Sequence, residues 1–370
     1  MSLAILFLTF LGGLAMGVPV AVTLALSSIA YLVTTGIPLT VVPQKIFAGI
    51  DVFVLLCIPG FILAGNLMNA GGITERIVRF AQALVGWLRG GLGLTNVAAS
   101  MLFGGVSGTA VADAASIGGM MIPGMKRVGY PPAFAAAVTS ASSTMGPIIP
   151  PSVPMIIIGS LSGLSVGKMF IAGALPGVLL GVGMLITTYV IAMRRGFPRD
   201  AWQGWAELGR SFAAASWALI MTAMIVGGML MGFVTPTETA VIASLYAMVV
   251  GVVIYGDLKI TAIPRLMVDS AVSAAGILFL VGAANVFGWI LVSEHIPQTI
   301  ADAVLGLTDN KYLVILLVNL VLIFVGMFME TIAALIILFV PLLTLAQAVG
   351  IDPIHSVSYT HLTLPTNREV

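Results

Sequence analysis

The residues best suited to chemistry lie in Ser140–Gly163, SASSTMGPIIPPSVPMIIIGSLSG. Both ends of this segment suit a membrane helix. Gly146, Pro147, Pro150 and Pro151 do not fit a continuous one, because proline removes an amide donor and collides with the preceding turn. The spacing predicts a helix that breaks in mid-membrane and exposes main-chain carbonyls and amides. Ser142, Ser143, Thr144 and Ser152 add hydroxyls at the break. Hard cations take oxygen ligands, and half-helix ends with unwound carbonyls supply them for Na⁺ or H⁺. The alternative is a proline-kinked structural helix whose hydroxyls bond back to their own backbone. The density of prolines and hydroxyls favours a binding site.

Gly104–Asp113 is the second candidate. Gly105 and Gly108 let the chain turn tightly and let carbonyls approach an ion, and Ser107 and Thr109 add oxygens. Asp113 stands in an otherwise apolar stretch, where a charge is costly and functional by default. A capping role in the following helix is the competing reading for it. In Val234–Ala240, Thr235 reads as an N-cap, Pro236 as the first helical residue and Glu238 as the capping-box partner. Asn285 and Glu330 are polar residues deep in apolar sequence, where hydrogen bonding between helices is the expected role and gating the sharper one.

These residues need elements to hold them, and composition defines those elements. The 370-residue chain is 59% hydrophobic and only 8% charged, with a formal net charge of +1. A soluble domain carries roughly 25% charged residues. The composition excludes a soluble globule, a disordered chain and a nucleic-acid binder, and predicts an all-α polytopic membrane protein. At about 20 residues per crossing there is room for roughly ten crossings. Met1–Val33 is apolar without a basic flank, so it reads as a retained membrane segment rather than a cleaved signal, with one or two crossings left open. The single cysteine, Cys57, permits no internal disulfide.

Charges collect in short windows. Glu75, Arg76, Arg79 and Arg89 form one; Lys126 and Arg127 another; Arg194, Arg195, Arg199 and Arg210 a third; Asp257, Lys259 and Arg265 a fourth. Basic loops face the cytoplasm, which places all four inside. The acidic window of Glu294, Asp302 and Asp309 is placed outside. Gly90–Met125 then enters and leaves on one side and is short for two crossings, which predicts a re-entrant hairpin with its tip at Gly104–Thr109. Such a tip is tolerated only against protein or a wet cavity. Spans are expected at Val166–Met193, Trp217–Phe233, Thr239–Tyr255 and Ala271–Val292. Tyr312–Gly350 reads as a second hairpin entering from the opposite face, with its tip at Gly326–Glu330, as an inverted-topology repeat requires. The expected organisation is scaffold helices over 1–89, a first transport repeat over 90–195 (hairpin 90–125, broken helix 131–163), further scaffold over 196–310, and the second hairpin over 311–355.

His295, His355 and His361 show no metal-ligand spacing, and the chain has no zinc-protease, nucleophile-elbow or Walker signature. It is expected not to be an enzyme. An intramembrane enzyme working through Asp113 would need a second convergent carboxylate. A passive channel would need rings of charge or carbonyl filters.

At Ile58–Met68 (IPGFILAGNLM), GGVSGTAVADAASIG (104–118), SSTMGPIIPPSVPMIIIG (142–159), GFVTPTETA (232–240), GMFMETIAALIILFVP (326–341) and GIDP (350–353), the chain resembles the large membrane (DctM) subunit of tripartite ATP-independent periplasmic (TRAP) transporters. The resemblance implies an elevator-type fold of the ion-transporter superfamily in the bacterial inner membrane. It also implies Na⁺-coupled import of an organic acid such as a C4-dicarboxylate or sialic acid. The solute would be delivered by a periplasmic, DctP-like binding protein, and a small DctQ-like membrane subunit would brace the scaffold. Under it, Gly105, Ser107, Gly108, Ser142, Ser143, Thr144 and Gly146 hold Na⁺. Ser107, Thr109, Pro150, Ser152 and Glu330 meet the substrate, and Asp113, Thr235, Glu238 and Asn285 are structural or gating. The family continues after GIDP with a second broken helix, whereas residues 356–370 read as a polar, foreign tail. A chain ending there is expected not to transport.

Overall fold

The computed structural model describes residues 2–308, 310–327, 329 and 331–356. Asp309, Glu330 and the tail from 357 onward lie outside the described residues. The described chain is helical, with no strand among the described residues.

In chain order the helices are α1 (Ser2–Ala15), α2 (Val20–Thr35), α3 (Val41–Ile50), α4 (Cys57–Ala70), α5 (Ile73–Val85), α6 (Gly91–Ser107) and α7 (Ala110–Asp113). A π-helical turn over Ala114–Gly118 carries α7 into α8 (Gly119–Arg127). Then follow α9 (Pro132–Ser143), α10 (Val153–Ser162), α11 (Val166–Arg195), α12 (Trp205–Leu230), α13 (Pro236–Val249), α14 (Ile263–Ser293), α15 (Ile296–Leu305), α16 (Lys311–Gly326) and α17 (Thr331–Ala348). Among the described residues, six helical stretches are long and apolar enough to cross a bilayer: Phe53–Ala70, Val166–Arg195, Trp205–Leu230, Pro236–Ile254, Ile260–Ser293 and Thr331–Ala348. Met1–Val33 contributes two helices, of 14 and 16 residues. Two spans run past their apolar windows: α12 begins at Trp205 rather than Trp217, and α14 at Ile263 rather than Ala271. Charged residues on exposed turns prolong a helix readily once its apolar part is anchored.

The chain packs as two units. In the first, made of the described residues within 2–55, 157–164 and 272–356, α1 lies on α2, and α15 and α16 both pack on α17. Phe10 meets Phe287 at 5.3 Å between ring centroids. Tyr31 donates its hydroxyl to Glu294, and the Asn285 amide donates to the Lys45 carbonyl at 2.7 Å.

In the second unit, residues 56–156 and 165–271, α4 packs on α13, α5 on α6 and α12, and α9 and α11 on α6. α5 is strongly amphipathic. Ile73, Ile77 and Ala81 are fully buried, while Arg76 and Arg79 form ion pairs. Arg79 meets Glu207 at 2.6 Å and Arg76 meets Asp257 at 2.7 Å. The first, third and fourth charge windows are thereby tied together at one end of the unit. Arg76 also lies over the Tyr255 ring at 3.8 Å. The Arg76→Lys variant keeps the charge and loses the flat guanidinium on the ring. It is expected to cost about 1 kcal/mol, the scale of a surface cation–π contact, read as a lower thermal midpoint in detergent. An unchanged midpoint would show the stacking to be idle.

Candidate functional site

The α6–α7 junction is a helical hairpin turn. Gly108 has φ 64°, a left-handed conformation that glycine adopts freely, and its N–H closes on the Gly104 carbonyl at 3.3 Å. Thr109 follows in extended conformation, and its hydroxyl accepts from the Ala112 N–H at 3.3 Å, which makes it the N-cap of α7. The Ser107 hydroxyl donates to the Thr109 carbonyl at 3.4 Å.

The second break separates α9 from α10. Tight turns fill it: Gly146 N–H donates to the Ser143 carbonyl at 3.0 Å, and the Ile148 and Ile149 N–H groups both reach the Met145 carbonyl. Ser152 is fully buried, and its hydroxyl accepts from the Met155 N–H at 3.2 Å at the head of α10. Proline explains why no helix bridges the gap: Pro147, Pro150 and Pro151 lack the donors that a continuing helix would need.

The two breaks meet. Val153 N–H donates to the Gly108 carbonyl at 3.3 Å. A Cβ built on Gly108 would stand 2.5 Å from the Pro151 carbonyl oxygen, and one on Gly146 would stand 2.8 Å from that of Thr109. The Pro150 oxygen lies 3.5 Å from the corresponding point on Gly105, and the Met145 oxygen 3.4 Å from that on Gly104. Glycines on both sides let main chain approach main chain, and carbonyls from each break gather at the contact.

Below it lies a buried polar clamp. Asn96 on α6 donates to the Thr139 hydroxyl on α9 at 2.6 Å, and Ser100 and Ser142 share a hydrogen bond of 3.0 Å. None of these four is more than 2% exposed. Asp113 is fully buried beside Ser100, yet neither carboxyl oxygen holds a hydrogen bond.

Ser142 thus serves the clamp while also donating to the Thr139 carbonyl at 3.1 Å, and Ser143 and Thr144 donate back to the carbonyls of Ser140 (2.9 Å) and Ala141 (2.7 Å). A back-bonded hydroxyl keeps lone pairs for a cation. Sequence reasoning missed Asn66, Asn69 and Ser116, which line a cavity of about 170 Å³ together with Ser107 and Thr109. Asn66, an amide inside the apolar run Ile58–Met68, was the available signal; its side chain donates to Ser270 at 2.8 Å. The remaining predicted residues stand apart. Thr235 and Glu238 form the expected capping box, with Thr235 N–H on the Glu238 carboxylate at 2.7 Å and Glu238 N–H on the Thr235 hydroxyl at 3.3 Å. Asn285 belongs to the first unit, and Glu330 lies outside the described residues.

A bundle of membrane helices interrupted by glycine and proline breaks is the architecture of a solute permease. Residues 7–365 match the family described as "Tripartite ATP-independent periplasmic transporter, DctM component", and the chain belongs to that family. It is similar to the sialic acid TRAP transporter large permease protein SiaM of Vibrio cholerae, 40% identical over 347 residues, covering 94% of this chain and 81% of the relative. It is 36% identical to the isethionate TRAP transporter permease protein DctMQ of Oleidesulfovibrio alaskensis, covering 95% of this chain and 56% of that one. Among solved structures, the Alcanivorax borkumensis YdaH transporter shares the fold at a TM-score of 0.60 and 16% identity, covering 89% of this chain and 76% of that one. The protein is therefore the large permease subunit of a TRAP transporter and a protein of the inner membrane. The relatives are permeases rather than enzymes.

Proposed function

We propose that the chain is a Na⁺-coupled importer subunit, and that its cation site lies where the Gly108–Thr109 turn meets the Gly146–Pro151 break. The supporting observation is that contact itself. Carbonyls of Thr109, Pro150 and Pro151, with the hydroxyls of Ser107, Ser143 and Thr144 on the flanking turns, would supply an all-oxygen donor set, which suits a hard monovalent cation. Na⁺ held there ties the hairpin turn to the break. The heads of α7 and α10, capped by Thr109 and Ser152, carry the partial positive charge of helix N-termini. They would receive the solute's acid group beside the cavity of Asn66 and Ser116. Both breaks would lie at membrane depth as re-entrant and interrupted elements of inverted repeats, and would move together in an elevator step. The solute is a carboxylate such as sialic acid or a C4-dicarboxylate. A periplasmic binding protein delivers it, and a small membrane subunit accompanies the permease. The isethionate relative, a DctMQ protein that is much longer than this chain, supports that second partner.

Uptake by vesicles carrying the complete transporter tests this reading. Imposing an inward Na⁺ gradient is expected to drive accumulation. The double variant Ser143→Ala/Thr144→Ala is expected to raise the Na⁺ concentration for half-maximal uptake by about tenfold, equivalent to about 1.4 kcal/mol. Uptake indifferent to Na⁺ in both proteins would refute coupling and favour a passive pore.

A further inference from the structure

A groove and a basic corner of the second unit adjoin in a way the transport reading does not use. The groove, about 520 Å³, runs between α9 and α11. Ala137, Ala141 and Gly183 open it to the surface, and Leu179, beside it, is 62% exposed. It ends at Ile191, one helical turn before Arg194 and Arg195. There Gly196, at φ 65°, turns the chain back.

The corner is built by two backbone bonds: Gly90 N–H to the Pro198 carbonyl at 3.0 Å, and Asp200 N–H to the Gly86 carbonyl at 3.2 Å. They lay Trp87–Arg89 alongside Pro198–Asp200. Arg89, Arg194, Arg195 and Arg199 all emerge here exposed, and none has an ion-pair partner among the described residues. The local acid is engaged, because Asp200 accepts from Gln82 at 3.1 Å. Phe197, next to the corner, packs on Phe134 of the groove at 4.9 Å. Trp87, Trp202 and Trp205 fence the corner edge to face at 5.7 and 5.5 Å, and Trp205 is 79% exposed.

Exposed tryptophans mark the headgroup level of a bilayer, and unpaired arginines beside an apolar inter-helix groove are the chemistry that holds anionic lipid headgroups. We infer that the groove and corner form one site for an anionic phospholipid, with its phosphate on Arg194, Arg195 and Arg199 and an acyl chain lying between α9 and α11.

Native mass spectrometry tests it on the full chain extracted from bilayers of mixed phosphatidylglycerol and phosphatidylcholine. The wild-type protein is expected to retain phosphatidylglycerol preferentially. Arg194→Gln/Arg195→Gln/Arg199→Gln is expected to lower that preference by tenfold or more, since each arginine at an anionic surface contributes roughly fivefold. Gly183→Phe leaves every charge in place. A side chain there meets open space, so it should fill the groove and lower total retained lipid. Undiminished phosphatidylglycerol preference in the triple variant, or unchanged retention in Gly183→Phe, would overturn the proposal. So would displacement of the lipid by a co-expressed small membrane subunit, which would make the groove a seat for a protein helix.

Discussion

Gly146→Ala is expected to raise the Na⁺ requirement of uptake by tenfold or more. The new methyl would stand 2.8 Å from the Thr109 carbonyl oxygen and 3.1 Å from its carbon. Both are main-chain atoms, so neither can swing aside as a side chain would. The hairpin turn and the helix break must part by several tenths of an ångström, and such overpacking costs about 1–3 kcal/mol. Spent on the cation-bound arrangement, that cost is about ten- to a hundredfold in affinity. Gly119→Ala is the control, because a Cβ there meets nothing within 4 Å. Na⁺ titration of solute uptake reads both variants. Equal Na⁺ dependence in the two would mean that the contact between the breaks does not hold the ion.

Asp113→Asn is expected to separate stability from transport. The side chain is fully buried and both carboxyl oxygens lack partners, a costly arrangement for an acid in an apolar setting. The amide keeps the shape and can never be ionised. The variant is expected to leave the thermal midpoint in detergent within a few degrees of the wild type, because the buried amide has the same shape and also needs partners for its N–H groups. Uptake is expected to fall by tenfold or more, because the substitution removes the carboxyl beside the Ser100–Ser142 pair. A fold keeps such a group against its cost where function requires it. A lower midpoint with normal uptake would reverse the assignment and make Asp113 a structural partner.

Much of the site was legible in the sequence because its causes are local. Three prolines after Ser143 forbid a helix wherever the segment is placed, and the observed gap lies between Ser143 and Val153. Gly108 turns the hairpin through a backbone angle that other residues resist. The Thr235–Glu238 box spans a single turn, so its geometry follows from spacing alone. The roles of individual hydroxyls were less legible. Ser142 reads like Ser143 in sequence and both bond back to their own helix, yet only Ser142 also joins the clamp with Ser100.

By itself the sequence determined an all-α membrane protein, the two breaks and the family, since solvent partition, proline and glycine act over a few residues. The tertiary structure decided that those breaks touch, that Asn96 and Thr139 lock the hairpin to the broken helix, and that Asn66 and Asn69 line a cavity with Ser107. These pairings join residues far apart along the chain. Only packing selects them, because an amide buried among apolar helices takes whichever partner the fold brings within reach.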